Sequence, residues 1–237
     1  MSGAALSSAS EIRACSECKR SMFLPDVGQH DHMGVCVACY RKLHAAASIR
    51  AARATQEEAP SHYQWASFDA PELRDRVKPP SAIEKAFGAT SGSVLLYGPA
   101  GSGKTSLAVS IAHRRASLQV AVQHPSCHFP DFRTWRGTFV TSMELARARS
   151  QHRLGEGEAA PIKAAVGARL LILDELGAEI GRDSATAEVI HRRHEQDRDT
   201  IYTTPFALAD LSRKYGDGIC RRLVEGGTVI ALGGMKL

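Results

Sequence analysis

No apolar run in this chain approaches the ~20 residues that a membrane helix needs, which excludes a helical membrane span. The opening residues, MSGAALSSASEIR, lack a basic stretch followed by an apolar core; no secretory signal is expected, and the chain is expected to be cytoplasmic. There is no internal repeat and no long low-complexity tract, so a solenoid is excluded. Neither sign of charge dominates: 30 Lys and Arg face 25 Asp and Glu, for a formal net charge of +5. That balance permits contact with nucleic acid without establishing it. What is present is ordinary globular material, 43% apolar and 23% charged over 237 residues, which argues against disorder and coiled coil. At roughly 100–200 residues per domain, the length accommodates one full domain and one small one.

Cysteine is scarce beyond residue 40, where only Cys127 and Cys220 occur. The other four form two C-x2-C pairs, Cys15/Cys18 and Cys36/Cys39, separated by 17 residues. This spacing fits a four-thiolate zinc site. The residues between the pairs are too few and too polar to build a core, so the metal would supply the missing folding energy. Four thiolates leave no open position, and the zinc is read as structural. Two disulfides or a redox pair is the competing reading, disfavoured by a reducing cytosol. His30 and His32 are read as loop histidines. Lys19, Arg20, Arg41 and Lys42 flank the pairs and are either phosphate contacts or a solvated rim.

After Cys39 an Ala- and Arg-rich stretch without Gly or Pro until Pro60 predicts a helix. Residues 51–80 are expected to be a linker or lead-in strand packing against the next domain, and SAIEKAFGA a short helix. The expected organisation is a zinc-binding unit with its following helix at 1–50, a linker at 51–80 and the main domain at 81–237.

The most specific feature follows. SVLLY, residues 93–97, is a short apolar run suited to a buried strand. It leads into Gly98, Pro99, Ala100, Gly101, Ser102, Gly103, Lys104 and Thr105, which match the P-loop pattern G-x-x-x-x-G-K-[ST]. The next residues read as a helix. Strand, loop and helix thus occur in the order the chemistry requires. Small residues let backbone amides close around phosphates, and the helix N-terminus adds the positive end of a dipole. Lys104 is expected to reach the β- and γ-phosphates of ATP, and the Thr105 hydroxyl to ligate magnesium.

Leu170–Leu173 is a second apolar strand, ending in Asp174 and Glu175. Asp174 is expected on the magnesium, and Glu175 as the base that polarises an attacking water. A third strand, TIYTT at 200–204, ends in two threonines. Either is a candidate sensor of the γ-phosphate, and either can equally be a plain strand residue. Alternating strands and helices imply a parallel sheet covered on both faces. Near the C-terminus Arg221 and Arg222 are candidates for an arginine finger into a neighbouring subunit, or form a basic helix face. His124, Cys127 and His128 lie close together within 121–135, read as a loop with incidental polar residues or, alternatively, a second metal site.

The order GPAGSGKT, FVTSMELARA, LLILDELG, IYTTPF, YGDGICRRLVEGGTVIALGG resembles the DnaC/IstB-like ATPases of the AAA+ class over about residues 66–234. The resemblance implies an α/β P-loop NTPase core without a C-terminal lid, preceded here by the small zinc-binding domain. It implies ATP, Mg²⁺ and Zn²⁺ as cofactors, and Arg222 as the better finger, with Arg221 second. The family usually has Asn after the sensor threonines, where this chain has Pro205; Thr204 is expected to take that role. The implied function is an ATP-dependent loader that binds single-stranded DNA, recruits a replicative DNA helicase and forms homo-oligomers on ATP and DNA. The alternatives are a transposition helper on duplex DNA and a non-hydrolytic ATP-binding adapter. Arg147, Arg149, Arg192 and Arg193 are candidate DNA contacts as helix charges only.

Overall fold

The computed structural model describes residues 13–22, 34–119, 121–122, 132–133, 136–153, 155, 157–180 and 184–233. His30, His32, His124, Cys127 and His128 lie outside them.

A two-residue antiparallel pair, β1 (Arg13–Ala14) and β2 (Ser21–Met22), precedes α1 (Val37–Glu57). A 3₁₀ turn (Ser61–Tyr63), α2 (Pro71–Arg76) and α3 (Pro80–Gly88) lead to β3 (Val94–Tyr97) and α4 (Lys104–Leu118). A short pair, β4 (Ala121–Val122) with β5 (Phe132–Arg133), is followed by β6 (Thr138–Thr141), α5 (Ser142–Gln151), α6 (Ala160–Gly167) and β7 (Leu170–Asp174). The chain continues through α7 (Ser184–Glu195), β8 (Asp199–Thr204), α8 (Leu208–Tyr215), α9 (Asp217–Val224) and β9 (Thr228–Ala231).

Five strands form one parallel sheet in the order β6-β7-β8-β3-β9. Strand side chains alternate between faces, and here both faces are dry. Val94, Leu96, Leu170, Ile172, Ile201 and Ile230 belong to one core with α3 and α4. Leu95, Leu171, Leu173 and Tyr202 belong to the other, with α5–α9. This explains why VLLY and LLILD are continuous apolar runs rather than alternating ones. The α/β P-loop architecture expected from the sequence is the one observed. β8 lies between the strand that feeds the glycine loop and the strand that ends in Asp174. All three therefore deliver their C-terminal ends to one edge of the sheet.

Residues 51–80 pack against the main domain. α1 runs unbroken to Glu57 and packs on α4. Ala47, Ala51, Ala52 and Thr55 form its buried side. Beyond it, Ala59, Ala66, Leu73 and Val77 are buried in the same cluster as β3 and α4. Burying a Leu or Val side chain contributes about 1.5–3 kcal/mol, so this segment adds to the core. No strand forms in it: Pro71 sits in the first turn of α2, where its fixed φ and missing N–H suit a helix start.

Candidate functional site

β3 ends at Tyr97, and the backbone turns through 98–103 into α4. Gly103 has φ 85°, and a Cβ there would lie 2.8 Å from Val77 Cγ2 and 3.0 Å from the Arg76 carbonyl oxygen. Only glycine satisfies both the left-handed backbone and the close approach of the end of α2. Lys104 is the first residue of α4 and is 9% exposed. Its Nζ donates to the carbonyls of Gly98 and Pro99, each at 2.8 Å. Burial lowers its pKa, while Asp174 and Glu175 pull the other way. Among the described residues, Ser102 Oγ is buried with no hydrogen-bond partner. A buried ammonium held by neutral carbonyls, an orphaned hydroxyl and a helix N-terminus together form a cradle that fits an anion.

Thr105 Oγ1 donates to both carboxylate oxygens of Asp174, at 3.1 and 3.2 Å. These two residues are 69 positions apart and come together at the sheet edge. Asp174 is 4% exposed, and burial raises its pKa. Hydrogen bonds from Thr203 and Thr105 lower it, Glu175 raises it and Lys104 lowers it. A buried carboxylate paired with a hydroxyl is the donor set a hard cation such as Mg²⁺ takes. Glu175 follows in the left-handed region at φ 59°, a conformation costing about 1–3 kcal/mol for a residue with a side chain. Its backbone is pinned on both sides: its N–H donates to Thr203 Oγ1 at 3.1 Å, and its carbonyl accepts from Ser142 Oγ at 2.7 Å. Ser142 opens α5 behind a capping box of Thr141 and Glu144.

A cavity of about 320 Å³ opens over this cradle. Lys104, Thr105, Glu175, Thr203 and Pro205 line it, together with Tyr63 and Arg76. Sequence reasoning missed Tyr63 and Arg76, which the packing of 51–80 brings in. The Arg76 guanidinium lies over the Trp65 ring, 4.7 Å from its centroid.

Thr204 does not line this cavity. Its hydroxyl donates to the Leu176 carbonyl at 2.8 Å and accepts from Phe206 N at 3.1 Å. Thr203 is the residue aimed at the site: its hydroxyl donates to Asp174 Oδ1. The register pairs Leu173 with Tyr202, so the next residues, Asp174 and Thr203, fall side by side.

Arg222 is half-buried on α9, its Nη1 donating to the Gly218 carbonyl at 2.9 Å. Arg221 is exposed and pairs with Glu225 at 3.6 Å. Neither lines the cavity of its own chain. Of the four candidate DNA contacts, Arg193 is removed. It is fully buried, and its guanidinium donates to the carbonyls of Ala165, Ala168 and Asp199 and to the Thr200 hydroxyl. Burial holds its pKa down at about 10. Arg192 is bound to Glu158 and Glu188, and Arg149 to Glu188. Arg147 borders a groove beside edge strand β6.

In the N-terminal region the sulfurs of Cys15, Cys18, Cys36 and Cys39 all lie within 4.8 Å of one another. Zn–S bonds of about 2.3 Å in a tetrahedron put sulfurs about 3.8 Å apart; Cys18 and Cys36 are 3.8 Å apart. None of the four is joined in a disulfide here. Burial pushes the Cys15 thiol up, but the N–H groups of Cys18, Cys36 and Glu17 outweigh it and bring the pKa to about 6. Burial and the neighbouring cysteines push Cys39 up to about 12. Four thiolates this close need a dication to ionise together, and the donor set fits zinc. Cys36 and Cys39 start α1, so the cluster is joined to the core by a continuous helix.

No family model and no curated protein matches this chain. Solved structures do. The DnaC helicase loader aligns with a TM-score of 0.52 and 21% identity, over 73% of this chain and 99% of that one. The chain shares the fold of that structure. DnaI aligns with a TM-score of 0.52 and 20% identity, over 73% of this chain and 94% of that one. A structural-genomics target from Streptococcus pyogenes serotype M3 gives 0.54 and 20%, over 78% and 97%. Among the described residues no helix is long and apolar enough to cross a membrane.

Proposed function

We propose that this chain is an ATP-dependent, DnaC-like helicase loader. The observation that carries the reading is the convergence of Lys104, Thr105, Asp174 and Thr203 at one sheet edge beneath a cavity, in the fold of a helicase loader. Phosphate oxygens would displace the Gly98 and Pro99 carbonyls as partners of Lys104, turning bonds from an ammonium to neutral carbonyls into bonds between opposite charges. Thr105 and Asp174 would hold Mg²⁺, whose charge neutralises that building on the transferred phosphoryl group. Glu175, pinned in its unusual backbone conformation, orients a water. Thr203 ties that backbone to Asp174, so the base and the metal ligand move as one. It would thereby fill the role that the resembled family gives to Asn.

Arg222 would enter the nucleotide site of an adjacent protomer, which makes hydrolysis depend on homo-oligomerisation. The zinc unit within residues 1–50 would dock the replicative helicase, and single-stranded DNA would lie along the oligomer. The test is steady-state ATP turnover with and without single-stranded DNA and helicase, for wild type and Glu175→Gln. Turnover that both ligands modulate and that Glu175→Gln abolishes supports the loader. No turnover in wild type favours a non-hydrolytic adapter, and stimulation by duplex DNA alone favours a transposition helper.

A further inference from the structure

Glu179 is a carboxylate that the proposed hydrolysis does not use, yet its residue is only 2% exposed. It sits in the loop that leaves β7 after Asp174 and carries Glu175. The Tyr215 hydroxyl donates to Glu179 Oε1 and accepts from the Gly177 N–H at 2.9 Å. Lys214 Nζ donates to the Gly177 carbonyl at 2.9 Å and to the Glu179 carbonyl, and lies 3.5 Å from Glu179 Oε1. Every one of these tethers ends in the last turn of α8. One residue later, Gly216 at φ 87° turns the chain directly into α9. α8 and α9 pack on each other, and α9 carries Arg222. A buried charge pair is a poor source of cohesion, since apolar replacements of similar volume are often neutral or stabilising. What such a network does well is fix one geometry.

We propose that Glu179, Lys214 and Tyr215 are positioning residues that set the helix bearing Arg222 relative to the loop bearing Glu175. The finger offered to a neighbour is thereby registered against the chain's own catalytic loop. The inference rests on the roles proposed above for Glu175 and Arg222.

The test is a double-mutant cycle on the full chain, reading ATP turnover at saturating protein. Tyr215→Phe keeps the ring and removes both bonds of the hydroxyl. It is expected to lower kcat about tenfold, with KM and nucleotide affinity unchanged, and to have no further effect on the residual turnover of Arg222→Ala. Glu179→Gln keeps an acceptor for Tyr215 and is expected to retain most activity. If Tyr215→Phe does not fold, Lys214→Met takes its place in the cycle. A loss that is equally large in the Arg222→Ala background, or no loss at all, overturns the inference while leaving the loader reading intact. Absence of turnover in wild type removes both.

Discussion

Thr203→Val isolates one hydroxyl at the centre of the site and has a pH signature. The hydroxyl donates to Asp174 and accepts from Glu175 N. A hydrogen bond to a charged group contributes about 1.5–3 kcal/mol, and a buried N–H left without an acceptor costs about 1–3 kcal/mol. The expected total at neutral pH is therefore about 2.5–6 kcal/mol. For a chain of this size, about 2–4 °C of Tm per kcal/mol translates that into a fall of roughly 5–24 °C. The two parts separate with pH. Burial already raises the Asp174 pKa, and the Thr203 bond is one of the forces holding it down. A carboxyl with a raised folded pKa contributes stability below its unfolded value, ~4, that is lost as pH rises through the folded value. Removing Thr203 raises that folded value further. The gap between wild type and Thr203→Val should narrow near pH 4 to the Glu175 N–H part, about 1–3 kcal/mol, and widen towards pH 8. Thermal melts in a chelator across that range measure it, and Thr203→Ser should close the gap. A gap that is flat with pH would refute the coupling of Thr203 to the ionised carboxylate.

Three further outcomes are expected. Gly103→Ala should lower stability by about 1–3 kcal/mol by chemical denaturation, because it combines a strained φ with a Cβ against Val77 and Arg76; an unchanged midpoint would contradict the close packing of α2 on the loop. Metal analysis should give one zinc per chain, and Cys36→Ser should lose it while the five-stranded core keeps its cooperative melt; a zinc-free wild type with reduced thiols would contradict the site. Arg222→Ala should leave nucleotide affinity within about twofold, below the 1.4 kcal/mol of a tenfold change, and reduce turnover only where it depends on protein concentration; undiminished turnover would remove it as the finger.

The contiguous motifs were legible because their chemistry is local. Glycines at 98, 101 and 103 with Lys104 and Thr105 need one another within a single turn, and the cysteine pairs sit on short turns of their own. Thr203 against Thr204 was not legible: β8 is buried on both faces, so neither neighbour carries a polarity signal, and only the register with β7 tells them apart. Arg192 and Arg193 are adjacent and identical in type, yet α7 turns one towards Glu158 and Glu188 and the other under the C-terminal end of α6. Tyr63 and Arg76 were invisible for a third reason. Residues 51–80 look polar and proline-broken, and their membership of the core rests on Ala59, Ala66, Leu73 and Val77, with Tyr63, Trp65 and Phe68 packed alongside, a spacing that follows no single period.

The most direct measurement is calorimetric titration of Mg·ATP into the folded, zinc-loaded chain and into Lys104→Ala. Saturable binding at one site per wild-type chain, lost in Lys104→Ala while the fold is retained, is the predicted result. No heat from wild type, or equal affinity in both, would contradict a triphosphate seated against Lys104.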